Sequence, residues 1–162
     1  SPPPCCERKL FRLKGIGQFA ASKTPAVQES GVNDMVWDKT LETGIQKVDE
    51  QHKELFRRIE LLTDTKNAKR TYEMLEFLEE YVHVHFRDEE ALQAQSGYPK
   101  AAQHSAYHAA FVETIRQLKK KLQSEGDTLL NKLEVNKTVF DWLKNHILVQ
   151  DKEFARYYKS IK

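Results

Sequence analysis

Apolar side chains recur along most of this chain at spacings of three and four, the signature of helices that bury one face. Four stretches carry the pattern. The first aligns Val48, His52, Leu55, Ile59 and Leu62, and the second aligns Leu75, Leu78, Val82, His85, Glu89 and Leu92. The third aligns His104, His108, Phe111, Ile115, Leu118 and Leu122. The fourth aligns Val135, Val139, Trp142, His146 and Val149, and continues through Asp151, Phe154 and Tyr157. Punctuation falls between them. Asp49 reads as the N-cap of the first helix, which runs to about Asp64, and a polar turn from Thr65 to Arg70 follows. The second helix spans about Thr71–Ser96 and is closed by Gly97. Pro99 suits the first turn of the third helix, Gly126 ends it, and Asp127 can cap the fourth. Upstream, Asn33 to Val48 is loop-like, with Met35, Val36, Trp37, Leu41 and Ile45 as anchors and Gly44 as punctuation. No stretch alternates with period two over a strand's length, and no internal repeat is visible. The expected fold class is all-α: an up-down-up-down antiparallel four-helix bundle over 33–162, preceded by a non-bundle extension and linker over 1–32.

Composition narrows the function classes. Basic and acidic residues nearly balance, 26 against 24, which argues against a dedicated nucleic-acid binder. No apolar run approaches the ~20 residues that cross a bilayer, so no membrane insertion is expected. No signal peptide is visible either. The only cysteines are the adjacent Cys5 and Cys6, so the bundle has no disulfide framework and a reducing, cytoplasmic setting is expected. The extension opens Pro2-Pro3-Pro4, carries a basic and apolar patch from Arg8 to Phe19, and ends in a small-residue linker from Ala20 to Gly31. The patch reads as a loosely packed tail, with docking on a partner or membrane surface as its functional alternative. Without an initiating Met, the chain is expected to be processed or excised from a longer one.

The chemistry lies in the histidines. There are six, and five of them, His52, His85, His104, His108 and His146, fall on inward stripes distributed over all four helices. The sixth, His83, is about 160° around the helix from His85 and should face solvent. One histidine on an apolar face is ordinarily a satisfied core residue. Five converging from four helices point to a metal site. They exceed what a tetrahedral zinc site uses, and no thiolate is at hand. Imidazole with carboxylate suits iron among the first-row metals, and two carboxylates can bridge a pair of ions. Glu89 sits on the stripe one turn after His85 and is the first bridge candidate. Asp151 is the second, but five residues after His146 it lies about 140° away in a regular helix. Reaching a common site requires a π-type bulge, a break near Leu148–Gln150, or a favourable rotamer.

Several motifs together resemble one family. Gly44-Ile45 with Asp49-Glu50-Gln51-His52-Lys53, His85-Phe86-x-x-Glu89-Glu90, Gly97-Tyr98-Pro99, His104-x3-His108 and Trp142-Leu143-x-x-His146-Ile147-x3-Asp151 look like a hemerythrin of the bacterial type. The likeness runs from about Trp37 to Tyr158, in the family's order. It implies a non-heme di-iron centre with an oxo or hydroxo bridge that binds O2 reversibly, in an oxygen carrier, store or sensor. By that resemblance His104, His108 and His146 hold the saturated iron, and His52 and His85 hold the iron with an open position. Glu89 and Asp151 bridge the two. The family places a pocket leucine at the position of Leu143, and Trp142 and Ile147 are available beside it as lining; Phe56 and Phe86 read as plain core. The chain departs from the bacterial pattern at Gln93, where Met is usual, and a polar residue there either faces outward or admits water and protons to the site. The extension lies outside the resemblance. Some hemerythrin-like domains sit at the ends of signalling proteins, so fusion to, or docking on, a signalling domain through 1–32 is a further expectation.

Two other classes compete. The same centre could act as an enzyme that reduces peroxide or nitric oxide, but activating di-iron sites lean on more carboxylate. The ferritin-like pattern uses Glu-x-x-His twice, and here Glu80-x-x-His83 occurs once and should face outward. A metal-free interaction bundle leaves five inward histidines without a reason.

Overall fold

The computed structural model describes residues 36–62 and 71–162. The expectations for 1–32, for Met35, for the end of the first helix at Asp64 and for the turn from Thr65 to Arg70 lie outside the described residues. Among the described residues a short 3-10 turn, Lys39–Leu41, leads to helices α1 (Gln46–Leu62), α2 (Thr71–Ser96), α3 (Ala101–Glu125) and α4 (Leu129–His146). A π-helical turn, Ile147–Asp151, follows α4 and runs directly into α5 (Lys152–Ser160). Four helices form the antiparallel bundle, and none of the described helices is long and apolar enough to cross a membrane.

The predicted stripes form the interior. Leu55, Phe56, Ile59, Leu75, Leu78, Phe111, Ile115, Leu118, Val135 and Val139 belong to one buried cluster. A smaller cluster of Ile45, Val48, Tyr98, Phe154 and Ala155 closes the other end, where α5 folds against the start of α1. Fully burying a Leu, Ile or Phe is worth about 1.5–3 kcal/mol each, so these stripes carry most of the bundle's favourable energy.

The helix ends depart from the sequence reading in three places. α1 begins at Gln46, so Asp49 lies inside its first turn rather than at its cap. Its carboxylate reaches back over the entry loop, accepting from the Thr43 amide at 2.7 Å, the Thr43 hydroxyl at 2.8 Å and the Gly44 amide at 2.9 Å. Gly44 is required at that loop: its φ is +78°, and a Cβ there would lie 2.3 Å from the Lys159 ammonium, which donates to the Thr43 carbonyl. Pro99 precedes the third helix instead of opening it, since α3 starts at Ala101. Thr128, not Asp127, caps α4, its hydroxyl accepting from the Asn131 amide at 3.1 Å. Gly97 and Gly126 behave as read, with φ of +68° and +84° just past α2 and α3.

Candidate metal centre

Antiparallel packing brings the N-terminal parts of α1 and α3 and the C-terminal parts of α2 and α4 to one end of the bundle. His52, His85, Glu89, His104, His108, His146 and Asp151 meet there, all of them buried. They fall into two groups whose ligand atoms lie within 4.8 Å of one another: Glu89, His104, His108, His146 and Asp151 in one, and His52, His85 and Asp151 in the other. Asp151 is common to both. Glu89 Oε2 approaches the second group as well, 4.0 Å from His85 Nε2.

Asp151 arrives through the π turn. Five residues spread over one widened turn bring its side chain back towards His146, and Asp151 Oδ1 lies 3.0 Å from His146 Nε2. The same register change turns Val149 away from the interior. It lies 57% exposed, where an uninterrupted stripe would have buried it. Of the three routes open to Asp151 from sequence, the π-type bulge is the one taken.

Every imidazole turns the same atom inward. His104 Nε2 is 3.2 Å from Asp151 Oδ1 and 3.5 Å from Glu89 Oε2, and His108 Nε2 is 3.3 Å from Glu89 Oε2. His146 Nε2 lies 3.0 Å from His108 Nε2 and 3.1 Å from His104 Nε2. On the other side His52 Nε2 is 3.0 Å from Asp151 Oδ2. Separations near 3 Å are what donors about 2.1 Å from a shared ion and at right angles to one another would have. Outside the cluster several of these atoms have no hydrogen-bond partner: His52 Nε2, His85 Nε2, and both oxygens of Glu89 and of Asp151, and the outward His52 Nδ1 has none either. Buried polar atoms left unpaired cost roughly 1–3 kcal/mol each, and more when charged. A bound cation removes that cost for the inward-facing atoms at once, so the residues fit a metal centre.

Electrostatics agree. Burial pushes His85 down to about 3, with His52 adding to the effect, so its ring is neutral and its Nε2 lone pair is free to ligate. Burial likewise lowers His146. Burial opposes a charge on His104 too, but hydrogen bonds to Asp151 and Glu89 outweigh it and raise His104 to about 9. Burial works to raise the Asp151 carboxyl, and the surrounding imidazoles of His146, His104 and His52 more than reverse it. Burial and the nearby Asp151 likewise work to raise Glu89, and hydrogen bonds from His104 and His108 bring it down to about 2, so both bridge candidates are carboxylates facing a cluster that needs positive charge. In the absence of a metal the His104 proton supplies it, and a metal cation would supply it instead.

The surrounding rings pack on the clustered imidazoles. Phe86 lies flat on His108 with centroids 3.7 Å apart, so it does more than fill the core. Trp142 stacks on His146 at 4.4 Å and on Phe111 at 3.9 Å. Phe56 is core as read, edge-on to Trp37 and Phe140. Leu143 and Ile147 are buried in the same cluster, and Trp142 is half-buried against it. His83 is exposed, as its angle from His85 predicts. Gln93 does not face outward. It is fully buried one turn after Glu89, and neither end of its amide has a partner. Sequence reasoning also missed two outer contacts. His85 Nδ1 meets Gln51 Oε1 at 3.1 Å, and His108 Nδ1 meets Glu90 Oε1 at 2.8 Å.

Residues 43–158 match the family model described as the hemerythrin HHE cation binding domain. A myohemerythrin from Theromyzon tessulatum is 33% identical over 111 residues, which is 68% of this chain and 82% of that protein. A bacteriohemerythrin from Methylococcus capsulatus is 34% identical over 116 residues, 70% of this chain and 87% of its own. A crystal structure of wild-type hemerythrin superposes with a TM-score of 0.67 at 31% identity, covering 76% of this chain and 96% of that one.

Proposed function

The chain belongs to the hemerythrin family, and from that membership we propose that it binds O2 reversibly at a di-iron centre held by its five inward imidazoles and two buried carboxylates. Two ferrous ions there would supply the electrons that O2 takes up on binding and returns on release. His104, His108 and His146 would hold one ion, and His52 and His85 the other. With two imidazoles instead of three, the side of His52 and His85 would have room for O2. Glu89 and Asp151 would bridge, Asp151 because it belongs to both groups of ligand atoms. Leu143 and Ile147 would line the O2 pocket and exclude water, the condition for release of O2 rather than loss of electrons to solvent, while Trp142, stacked on His146, packs the three-histidine side. A domain without cysteine and a metal loaded in the ferrous state suit a reducing, cytoplasmic setting.

The observation that carries this reading is the convergence of five imidazoles and two carboxylates in a buried interior, with several of their polar atoms unpartnered outside the cluster. Reduction of peroxide or nitric oxide gains little from the same donor set. It has two carboxylates, where ferritin-like sites bring four glutamates, and the one Glu-x-x-His pair, Glu80 with His83, lies on the exposed face of α2.

The test is to load ferrous iron without air, admit O2, then purge with inert gas and repeat. An absorption band that appears with O2 and fades on each purge is the expected result. A band that forms once and never fades means one-way oxidation and contradicts reversible binding. Multiple turnover of peroxide by the loaded protein, well above free iron, would favour the enzyme.

A further inference from the structure

We propose that Glu90 and Gln51 are positioning residues that make the two metal positions chemically unequal, a carboxylate strengthening His108 and a neutral amide restraining His85. The inference rests on the di-iron reading and goes beyond the ligand set itself.

All five imidazoles turn Nε2 towards the centre, so each Nδ1 faces away from it. Two of these outward nitrogens meet a side chain, and the two partners differ. Glu90 Oε1 lies 2.8 Å from His108 Nδ1. Gln51 Oε1 lies 3.1 Å from His85 Nδ1. The Gln51 amide cannot be turned around, because its Nε2 donates to Asp88 Oδ2 at 2.9 Å. Its oxygen must therefore face His85, whose Nδ1 must carry the proton and donate it. That fixes the tautomer with the Nε2 lone pair directed at the metal position. The chain of contacts continues outward, since Asp88 is held by Lys47 at 3.1 Å and by Arg87 at 3.3 Å. A full negative charge is present on this side too, but one amide removed from the ring and balanced by two surface cations.

On the other side the carboxylate touches the ring directly. A carboxylate accepting from Nδ1–H draws the proton towards itself and enriches the opposite nitrogen, which makes a stronger ligand. Phe86, flat on His108, holds the ring in the plane that keeps this contact. Glu90 itself stands at the wall of a surface groove of about 430 Å³ that it shares with His108, Ser105 and Arg116. Three imidazoles, one of them carboxylate-backed, would thus define a tight and electron-rich position. Two imidazoles, one of them amide-backed, would define the weaker position where O2 enters. The asymmetry that reversible binding needs is then built into the outer partners as well as into the ligand count.

Two variants of the full chain test this. Glu90→Gln keeps a hydrogen-bond acceptor of the same size and removes only the charge. Gln51→Met removes the acceptor at similar volume. Iron release to a ferrous chelator, reduction potentials, and histidine nitrogen NMR of the metal-free protein are the readouts. The wild type should release two irons in separable phases. Glu90→Gln should weaken one of the two by about 10–100-fold and raise the potential of that iron alone. Gln51→Met should weaken the other iron and mix the His85 tautomers in the NMR spectrum. Both variants matching the wild type in release and potential would overturn the proposal, as would both weakening the same iron. A wild type that takes fewer than two irons would overturn the di-iron reading first, which separates the two failures.

Discussion

The two ends of this bundle are built by opposite means. Where α1 and α3 end and α2 and α4 begin, Ile59, Leu62, Leu75, Ile115, Leu118, Leu122 and Val135 pack as an ordinary apolar core. At the other end the same four stripes deliver five imidazoles and two carboxylates, all buried. The first end is stabilised by removing carbon from water and asks only that shapes fit. The second buries polar atoms at a cost that the chain repays only partly through its own hydrogen bonds. The comparison teaches that one helical period can encode either stability or a site, and that the unpaired atoms tell which. The apolar end holds the rods together so that the polar end can be kept open to a cation.

That contrast makes ordered predictions. The largest effect belongs to Asp151→Ala. Asp151 is the one candidate ligand shared by both groups, so neither iron should survive gel filtration, as metal analysis of the variant will show. Leu75→Ala at the apolar end should do the reverse: it should cost about 2–5 kcal/mol in urea unfolding, yet leave two irons per chain in the protein that stays folded. If Leu75→Ala emptied the centre, the two ends would not be separable as drawn.

Acidity should act on the polar end. In the metal-free protein His85, lowered to about 3, takes up a proton more readily when unfolded, where histidine titrates near 6.5. Its contribution is therefore complete above pH 6.5 and is lost as pH falls towards 3, with His146 adding in the same direction. His104, raised to about 9, contributes fully below pH 6.5 and loses its share as pH rises through 9. Urea unfolding of the metal-free form against pH should show a maximum near neutrality, with a loss on the order of a few kcal/mol on the acid side. The fall should be blunted in His85→Phe.

Gln93→Met should sharpen the contrast from the other direction. The buried amide has no partner at either end, so exchanging it for a thioether of similar size should stabilise the fold by about 1–3 kcal/mol. It should also slow the oxidation of the iron-loaded form in air, if the amide brings water near the centre. An unchanged melting temperature would mean that Gln93 is satisfied by a buried water of little cost. The smallest effect belongs to His83→Ala. The ring is exposed, and iron content and O2 binding should both stay at the wild-type level.

Much of this was legible in the residues. The C-terminal limit of α2, Ser96, follows from Gly97, because a positive-φ glycine is a local signal that needs no tertiary knowledge. The faces that bury the five histidines and Glu89 followed from period as well, whereas Asp151 reaches the cluster only through the π turn. What sequence left open was whatever depends on a neighbour. Asp49 looks like a cap because it precedes the stripe's first histidine, but its carboxylate is committed to Thr43 and Gly44 on an entry loop that only the folded chain defines. Asp127 and Thr128 are both good caps, and adjacency in sequence cannot choose between them. Leu92 and Gln93 stand three and four residues after Glu89, and both spacings fit a helix. The structure buries Gln93 fully and leaves Leu92 half-buried. Gln51 and Glu90 read as polar residues beside ligands. Only the packing of α1 on α2, and of α2 on α3, brings them to His85 and His108. A signal existed: each is the polar neighbour of a ligand on a helix whose next face is occupied by another ligand-bearing helix.

Crystals of the iron-loaded protein, measured for anomalous scattering at the iron edge, address the central claim most directly. Two peaks should appear within the cluster, one among His104, His108 and His146 and one beside His52 and His85, with Asp151 and Glu89 between them. A single peak, or none among these seven side chains, would contradict the account.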